Sequence, residues 1–269
     1  MYDKIGIGII TCNRSFFFKE LIQSIPAVDS IVVVNDGTPY ENSLYINKVN
    51  KLIQHTRHKN IGESKNEALQ YLLENKCNHI FLLEDDIALL DGEIIEKYIK
   101  ASQSTGILHF NYAYHGYGNR DANGNPLCRK ILAYDNDVRI SFHERITGAL
   151  TYFRDTVLMD VGLMDGFYRN VHEHVDHTYR IIKAGYHPPF RWFADLADSF
   201  KFVKELDPTL KESINRKSSL SLQLRANFFS VYFKMKFGKF PWTIPDTSES
   251  EVLAILQKLK ERYTNNNLF

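Results

Sequence analysis

Ile80-Phe81-Leu82-Leu83-Glu84-Asp85-Asp86 is the stretch that decides the fold. Four apolar residues run straight into three adjacent carboxylates. An apolar run this short, bounded by polar residues, reads as a buried strand rather than a helix. In an open α/β sheet, ligands bind just beyond the carboxyl ends of the strands. Three like charges side by side repel one another and are tolerated where something positive sits among them. A hard divalent cation carrying a phosphate group would meet that need. A solvated acidic turn after a strand is the plain alternative.

Upstream, the segments have the punctuation of βαβ units. Lys4 to Thr11 is β-rich and ends in the polar turn Cys12-Asn13-Arg14-Ser15. Ser15 is placed to cap a helix with Phe17, Leu21, Ile22 and Ile25 on its apolar positions and Pro26 as its stop. A second run, Ile31 to Val34, ends in Asn35-Asp36-Gly37-Thr38-Pro39, a turn signal. Leu52 to Thr56 is a weaker strand. The helix that follows starts near Gly62 to Ser64 and turns Ala68, Leu69, Leu72 and Leu73 inward. Its start, with Arg57, Lys59 and Lys65 nearby, has the charge and free N–H groups that attract phosphate, although a solvated basic loop reads the same way.

Downstream, Ile107 to Tyr112 is a possible strand. Ala113 to Asp137 is polar and irregular, with a turn and short hairpin expected at Asn123-Gly124-Asn125-Pro126; loops this long are often lids or binding loops. Ile146 to Arg154 reads as a strand in which Gly148 marks a close backbone approach, and a short helix spans Asp155 to Val161. His172-Glu173-His174-Val175-Asp176-His177 opens a helix capped by Gly185. It fails the zinc spacing, because Asp176 rather than a histidine stands four residues after His172. His55, His79 and His109 read as core or surface residues. Beyond Asp207-Pro208 the chain mixes aromatics with Lys and Arg from Leu220 to Phe240. Ser248 or Ser250 then caps a last helix through Leu253, Leu256 and Leu259, with a frayed tail at Thr264 to Asn267. The division expected is residues 1–204 as one α/β domain and 205–269 as a helical extension. That extension packs on its own domain or on a second copy, or lies on an anionic membrane surface.

The 269 residues, 44% hydrophobic and 24% charged, suit one large globular domain with an extension. A net charge of +1 gives no bulk-charge reason to expect a nucleic-acid partner. Cys12, Cys77 and Cys128 are too few and scattered for a disulfide framework, which fits a reducing, cytoplasmic setting, peripheral at most to a membrane. No signal peptide and no membrane span are read.

Several motifs together resemble the family 2 inverting nucleotide-sugar glycosyltransferases, over about residues 4 to 190. Ile10-Thr11-Cys12-Asn13-Arg14 is similar to the family's opening T-x-N-R, and Val34-Asn35-Asp36-Gly37-Thr38 to its V-D-D-G-S turn. Asn60-Ile61-Gly62 with Lys65-Asn66-Glu67-Ala68-Leu69 is similar to N-x-G-x-x-x-A-R-N-x-A. Leu83-Glu84-Asp85-Asp86 stands at the metal-binding D-x-D. Gly148-Ala149 through Val161-Gly162-Leu163-Met164-Asp165 looks like the segment before the E-D-x-D helix. Each piece alone is weak; their common order is the signal.

The resemblance implies a GT-A fold: a mixed, mostly parallel sheet flanked by helices, here with a C-terminal helical extension. It implies a nucleotide-sugar donor, UDP-sugar foremost, and a saccharide or glycolipid acceptor, with surface polysaccharide synthesis as the common setting. Thr11, Asn13, Arg14 and Asp36 would serve the donor, Asp36 at the base. Asn60 and Lys65 would lie near base or phosphate, Glu84 and Asp85 would line ribose and metal, and Asp86 would ligate Mn²⁺ or Mg²⁺. Glu173, His174 and Asp176 fall on the motif that supplies the catalytic base. Two departures stand out: Glu84 replaces the first Asp of the metal motif, and His174 sits where the family usually has the basic Asp. Among the three candidates Glu173 is favoured, because a carboxylate at a helix start stays ionised. Two other classes stay open, a sugar-phosphate nucleotidyltransferase and a non-catalytic glycan-binding module. The first would need a glycine-rich loop after the first strand, which Thr11 to Arg14 is not.

Overall fold

The computed structural model describes residues 3–207, apart from 42, 44, 46, 116, 117, 135, 136 and 170, and residues 219–265. The order is β1 (Ile5–Thr11), α1 (Ser15–Ser24), β2 (Ser30–Asn35), β3 (Lys51–Gln54), α2 (Ile61–Glu74), β4 (His79–Glu84), β5 (Ile87–Leu89), α3 (Glu93–Thr105) and β6 (His109–Asn111). Then come β7 (Lys130–Ala133), β8 (Arg139–His143), β9 (Leu150–Arg154), α4 (Asp155–Val161), α5 (Glu173–Lys183), β10 (Phe193–Leu196), β11 (Val203–Glu205), α6 (Ser219–Phe237) and α7 (Glu249–Asn265).

The central sheet runs β3-β2-β1-β4-β9-β6, parallel across its first four strands, with β9 antiparallel to both its neighbours, β4 and β6. This is the mixed, mostly parallel sheet expected. A three-stranded sheet, β10-β8-β7, and a two-stranded one, β11-β5, flank it. Side chains on the two faces of β1 and β4 enter separate cores. Ile7, Ile9, Phe81 and Leu83 pack with α1 and α3, and Ile10, Ile80 and Leu82 pack with α2. The glycines of Ile5-Gly6-Ile7-Gly8-Ile9 face α2. A Cβ on Gly6 would lie 2.8 Å from Leu72 Cδ2 and one on Gly8 would lie 2.9 Å from Ala68 Cβ, so only glycine lets helix and strand approach so closely.

Register places the site. Ile10 pairs with Glu84 and Thr11 with Asn35, so the polar ends of β1, β2 and β4 reach one edge of the sheet together. This is the carboxyl edge at which parallel sheets bind ligands.

Local details differ from the sequence reading. The residue before α1 is Arg14, and Ser15 is already helical with no side-chain cap. Phe18, Leu21, Ile22 and Ile25 form the buried stripe. Phe17 is only half-buried and lies against the Arg14 guanidinium. α2 starts earlier than expected, at Ile61. Its cap is Asn60, whose side chain accepts from the Glu63 amide at 3.1 Å. The segment from Ile87 to Gly106, for which the sequence reading proposes no element, forms β5 and α3. Ile94, Ile95, Tyr98, Ile99 and Ser102 make the buried face of α3. Ser248 caps α7 through a reciprocal exchange with Glu251. Gly124 closes a turn onto Asp121, and Arg120 bridges to Pro126, where a hairpin was expected. The tail beyond Asn265 lies outside the described residues.

The helices after residue 204 are not separate from the rest. Val252, Leu256 and Leu259 of α7 belong to the main core. A Cβ on Gly106, which has φ +72°, would fall 2.3 Å from the Leu259 carbonyl oxygen, so α7 lies directly on the end of α3.

Candidate active site

An open cavity lies beside the ends of β1 and β2. It has a volume of about 730 Å³ and is lined by Asn13, Asp36, Gly37, Gln54, His55 and Arg57 among others. Asp36 is its buried anion. It accepts from the amides of Lys59 (2.8 Å) and Asn60 (3.1 Å), and contacts His55 Nδ1 (2.6 Å) and His58 Nδ1 (2.7 Å). Asn60 thus serves Asp36 with its backbone and α2 with its side chain. Asn13, at φ 55°, accepts from the Thr38 amide at 2.8 Å and ties the β1 loop to the β2 turn. Gly37 is required there, since a Cβ would lie 2.5 Å from Asn13 Oδ1.

The acidic run sits next to this opening. The Thr11 hydroxyl lies 2.6 Å from Asp85 Oδ2 and 2.9 Å from the Tyr40 hydroxyl, so Thr11 braces the carboxylate from within the protein. The Tyr40 hydroxyl also accepts from the Arg14 amide at 2.8 Å. Arg14 pairs directly with Asp85 and lies 3.3 Å from Asp86. Burial pushes the Asp85 carboxyl up to about 7, against the opposing pull of Arg14. Asp86 Oδ1 is buried, and among the described residues nothing hydrogen-bonds to it. His115 Nε2 is 3.8 Å from Asp86 Oδ2, and its Nδ1 is likewise buried without a partner.

These residues fit a hard divalent cation. An unsatisfied buried carboxylate oxygen is the donor such an ion takes. Among the described residues no group of three or more His, Cys, Asp or Glu is arranged to hold a metal. The protein would therefore offer one or two carboxylates and leave the remaining positions to water and phosphate, the usual arrangement for a cation that arrives with a nucleotide. Arg14 now neutralises the acids that would face it.

The base candidates separate sharply. Lys65 is fully enclosed, with Nζ 2.8 Å from Glu84 Oε1 and 3.2 Å from Glu173 Oε1. Burial alone would lower its pKa, but the two carboxylates hold it well above the ordinary lysine range. Burial would raise Glu173, but Lys65 and then His174 hold it well below the usual carboxylate range. A side chain on Gly148 would press on this bridge, with its Cβ 3.2 Å from Lys65 Nζ and 3.3 Å from Glu84 Oε1. Lys65 is thus an internal counter-ion linking β4, α2 and α5. Asp176 is completely buried and faces away, paired with Arg180 (2.9 Å) and with Lys236 of α6 (2.7 Å). His174 is the open member. Its side chain is 25% exposed, and its Nδ1 lies 3.3 Å from Glu173 Oε1.

Sequence reasoning missed Tyr40, His55, His58 and His115. Nothing local marks them; they reach the site from loops whose course depends on the whole sheet.

No family model matches the chain, and no curated protein sequence matches it. Solved structures do match. The mannosyltransferase PcManGT from Pyrobaculum calidifontis, in complex with GDP-Man and Mn²⁺, superposes with a TM-score of 0.59 at 14% identity, over 98% of this chain and 70% of that one. GalNAc-T7 with UDP, GalNAc and Mn²⁺ matches with a TM-score of 0.56 at 14% identity, over 97% and 54%. S. aureus TarS matches with a TM-score of 0.50 at 16% identity, over 66% and 33%. The fold is that of the GT-A glycosyltransferases. At these identities the likeness concerns fold alone, and the chain spans only a third of the length of TarS. Within the GT-A frame, the acidic run at the end of β4 and the cavity at the ends of β1 and β2 share the sheet edge where such a fold carries its ligands.

Proposed function

We propose that the chain is a glycosyltransferase that moves a sugar from a nucleoside-diphosphate donor, a UDP-sugar for preference, to a saccharide or glycolipid acceptor. The reading rests on one observation: Asp86, with a buried carboxylate oxygen that nothing among the described residues hydrogen-bonds, stands at the same sheet edge as the cavity around Asp36. Solved structures of similar fold carry GDP-Man or UDP together with Mn²⁺, which supports it.

In this reading Asp36 and its loop receive the nucleoside, and Asp86 with Asp85 faces the diphosphate. A bound Mn²⁺ or Mg²⁺ would supply Lewis-acid stabilisation of the charge on the leaving diphosphate. Arg14, already beside both acids, provides a second positive group within that space. His174 takes the proton of the acceptor hydroxyl as that oxygen attacks the anomeric carbon from the side opposite the diphosphate, which inverts the configuration. Glu173 turns the imidazole, with its carboxylate toward Nδ1, so that Nε2 is the free acceptor. This moves the role of base from Glu173 to its neighbour. Lys65 pairs with Oε1 of Glu173 and holds that acid ionised well below the usual carboxylate range, which makes it a weak proton acceptor even though its Oε2 has no hydrogen-bond partner among the described residues.

The test is release of nucleoside diphosphate from a panel of UDP-, GDP- and dTDP-sugars, with Mn²⁺ and with EDTA. Mn²⁺-dependent release that is lost in Asp86→Ala is expected. Release of pyrophosphate from a sugar phosphate and a nucleoside triphosphate would make the chain a nucleotidyltransferase. Glycan binding without release from any donor would make it a binding module.

A further inference from the structure

We infer that the outward face of α6 seats on an anionic phospholipid surface. The helix is apolar on two opposite sides. One side buries Phe229 and Phe233, the latter packed with Val175 of α5. On the other, Leu224, Phe228, Val231 and Met235 recur at intervals of four, three and four, which places them in one narrow stripe. They are 62, 58, 49 and 79% exposed. A helix apolar all round is normally covered on both sides, and among the described residues little covers this one beyond the ring of Phe167 against Phe228.

Charge indicates what covers it. From Ser213 to Pro245 the sequence has no Asp or Glu, while Arg216, Lys217, Arg225, Lys234 and Lys239 carry positive charge; Lys236 is already neutralised by Asp165 and Asp176. The chain as a whole is only +1, so this segment is set against an otherwise acidic remainder. Just past the helix, Trp242 is 57% exposed and stacks on Phe240, over which Lys234 is placed. Apolar side chains with Trp and lysines alongside and no acids are the composition that lies in the headgroup boundary of anionic lipid. A second copy of the chain fits less well. The stripe is about 17 Å long, short for the roughly 800 Å² that each partner of a stable dimer buries. Its two-fold pairing would also oppose cation to cation.

The surface bears on the site because α6 rests on the first turn of α5. Ser230 Oγ lies 3.1 Å from His172 Nε2, and Lys236 bridges Asp165 (2.8 Å) and Asp176 (2.7 Å). Docking would bring His174 near the membrane, in reach of a lipid-anchored acceptor; that consequence rests on the transferase reading, whereas the docking does not.

The experiment is flotation of the full chain with vesicles of phosphatidylcholine alone and with about 30% phosphatidylglycerol added. Binding to the anionic vesicles is expected, at least about ten-fold above the neutral ones, with release near 1 M salt, where the screening length is about 3 Å. Leu224→Gln/Met235→Gln should reduce the bound fraction about ten-fold at an unchanged melting temperature, since both residues are exposed. Met235→Gln alone, at the most open position, should act in the same direction. No binding, equal binding to both vesicle types, or full binding by the double variant would overturn the proposal. So would a dimer in light scattering that the double variant turns into a monomer, since the stripe would then belong to a second copy. None of these readouts depends on sugar transfer.

Discussion

Lys65 Nζ lies 3.2 Å from Glu173 Oε1, joining two buried residues 108 positions apart in the chain. Glu84 closes the bridge from the other side. Removing one member of a buried ion pair strands the other charge, at a cost of about 3–5 kcal/mol. Lys65→Met should therefore lower the unfolding free energy by that order. Adding Glu173→Gln should recover a large part of the loss, because the stranded carboxylate is then neutral. Urea unfolding of the two variants decides it. A loss of under about 1 kcal/mol in Lys65→Met would mean the bridge does not contribute as its geometry indicates.

His174→Ala should reduce turnover by about 10²- to 10⁴-fold, the range of general-base catalysis. Donor affinity should be nearly unchanged, because the residue faces the acceptor side of the proposed reaction. Glu173→Gln should cost less, since it removes only the orienting carboxylate. Steady-state kinetics with calorimetric donor binding separates the two. A larger loss of turnover in Glu173→Gln than in His174→Ala would return the role of base to Glu173.

Arg14 is the counter-ion of Asp85 and Asp86 when no cation is bound. In Arg14→Ala the metal-free protein should be less stable, because adjacent carboxylates then repel without compensation. Mn²⁺ should in turn raise the melting temperature more in the variant than in the wild type, by linkage to a site no longer occupied by a guanidinium. The thermal shift measured against Mn²⁺ concentration checks this. An equal or smaller shift would show that Arg14 does not compete for the site.

Buried histidines set the acid limit. Burial lowers His79, His143 and His187 to about 4 and His177 to about 3. His187 shows why: its Nε2 accepts from the Ala194 amide at 3.2 Å while its Nδ1 faces the Pro188 carbonyl at 2.8 Å, a pattern only the neutral ring can make. Between the unfolded value of about 6.5 and these folded values, the unfolded chain binds protons that the folded one does not. Stability is therefore complete above about pH 6.5 and declines as pH falls, by up to about 1.4 kcal/mol per pH unit for each histidine. Urea midpoints measured from about pH 7.5 down to about pH 5 should fall, because these four histidines outnumber Asp85 and Asp195, which burial raises to about 7 and about 6 and which act in the opposite direction. A flat profile over that interval would contradict the neutral, buried assignment.

Much of the frame is written locally. Ile5 to Thr11, Ser30 to Asn35 and His79 to Glu84 are short apolar runs that end in polar residues, and such runs must pair and be covered whatever surrounds them. The α3 helix is absent from the sequence reading, although Ile94, Ile95, Tyr98 and Ile99 have helical spacing and are buried in the structure. The positions of Asp36, Asp86 and the residues at 173 to 176 followed from motif order. Their partners did not. His115, Tyr40 and His58 come from loops with no periodicity, and a loop's course is set by the elements it joins.

By itself, then, the sequence determined the α/β class, the parallel strands and the edge where their carboxylates gather, because hydrophobic periodicity and turn chemistry act between near neighbours. Only the tertiary structure decided what those carboxylates face. Glu173 meets Lys65 through one oxygen and Asp176 meets Lys236, while Asp86 Oδ1 and Glu173 Oε2 have no hydrogen-bond partner among the described residues. An ion pair is made across space, and the charge state of each acid depends on burial and on partners that the linear order does not bring together.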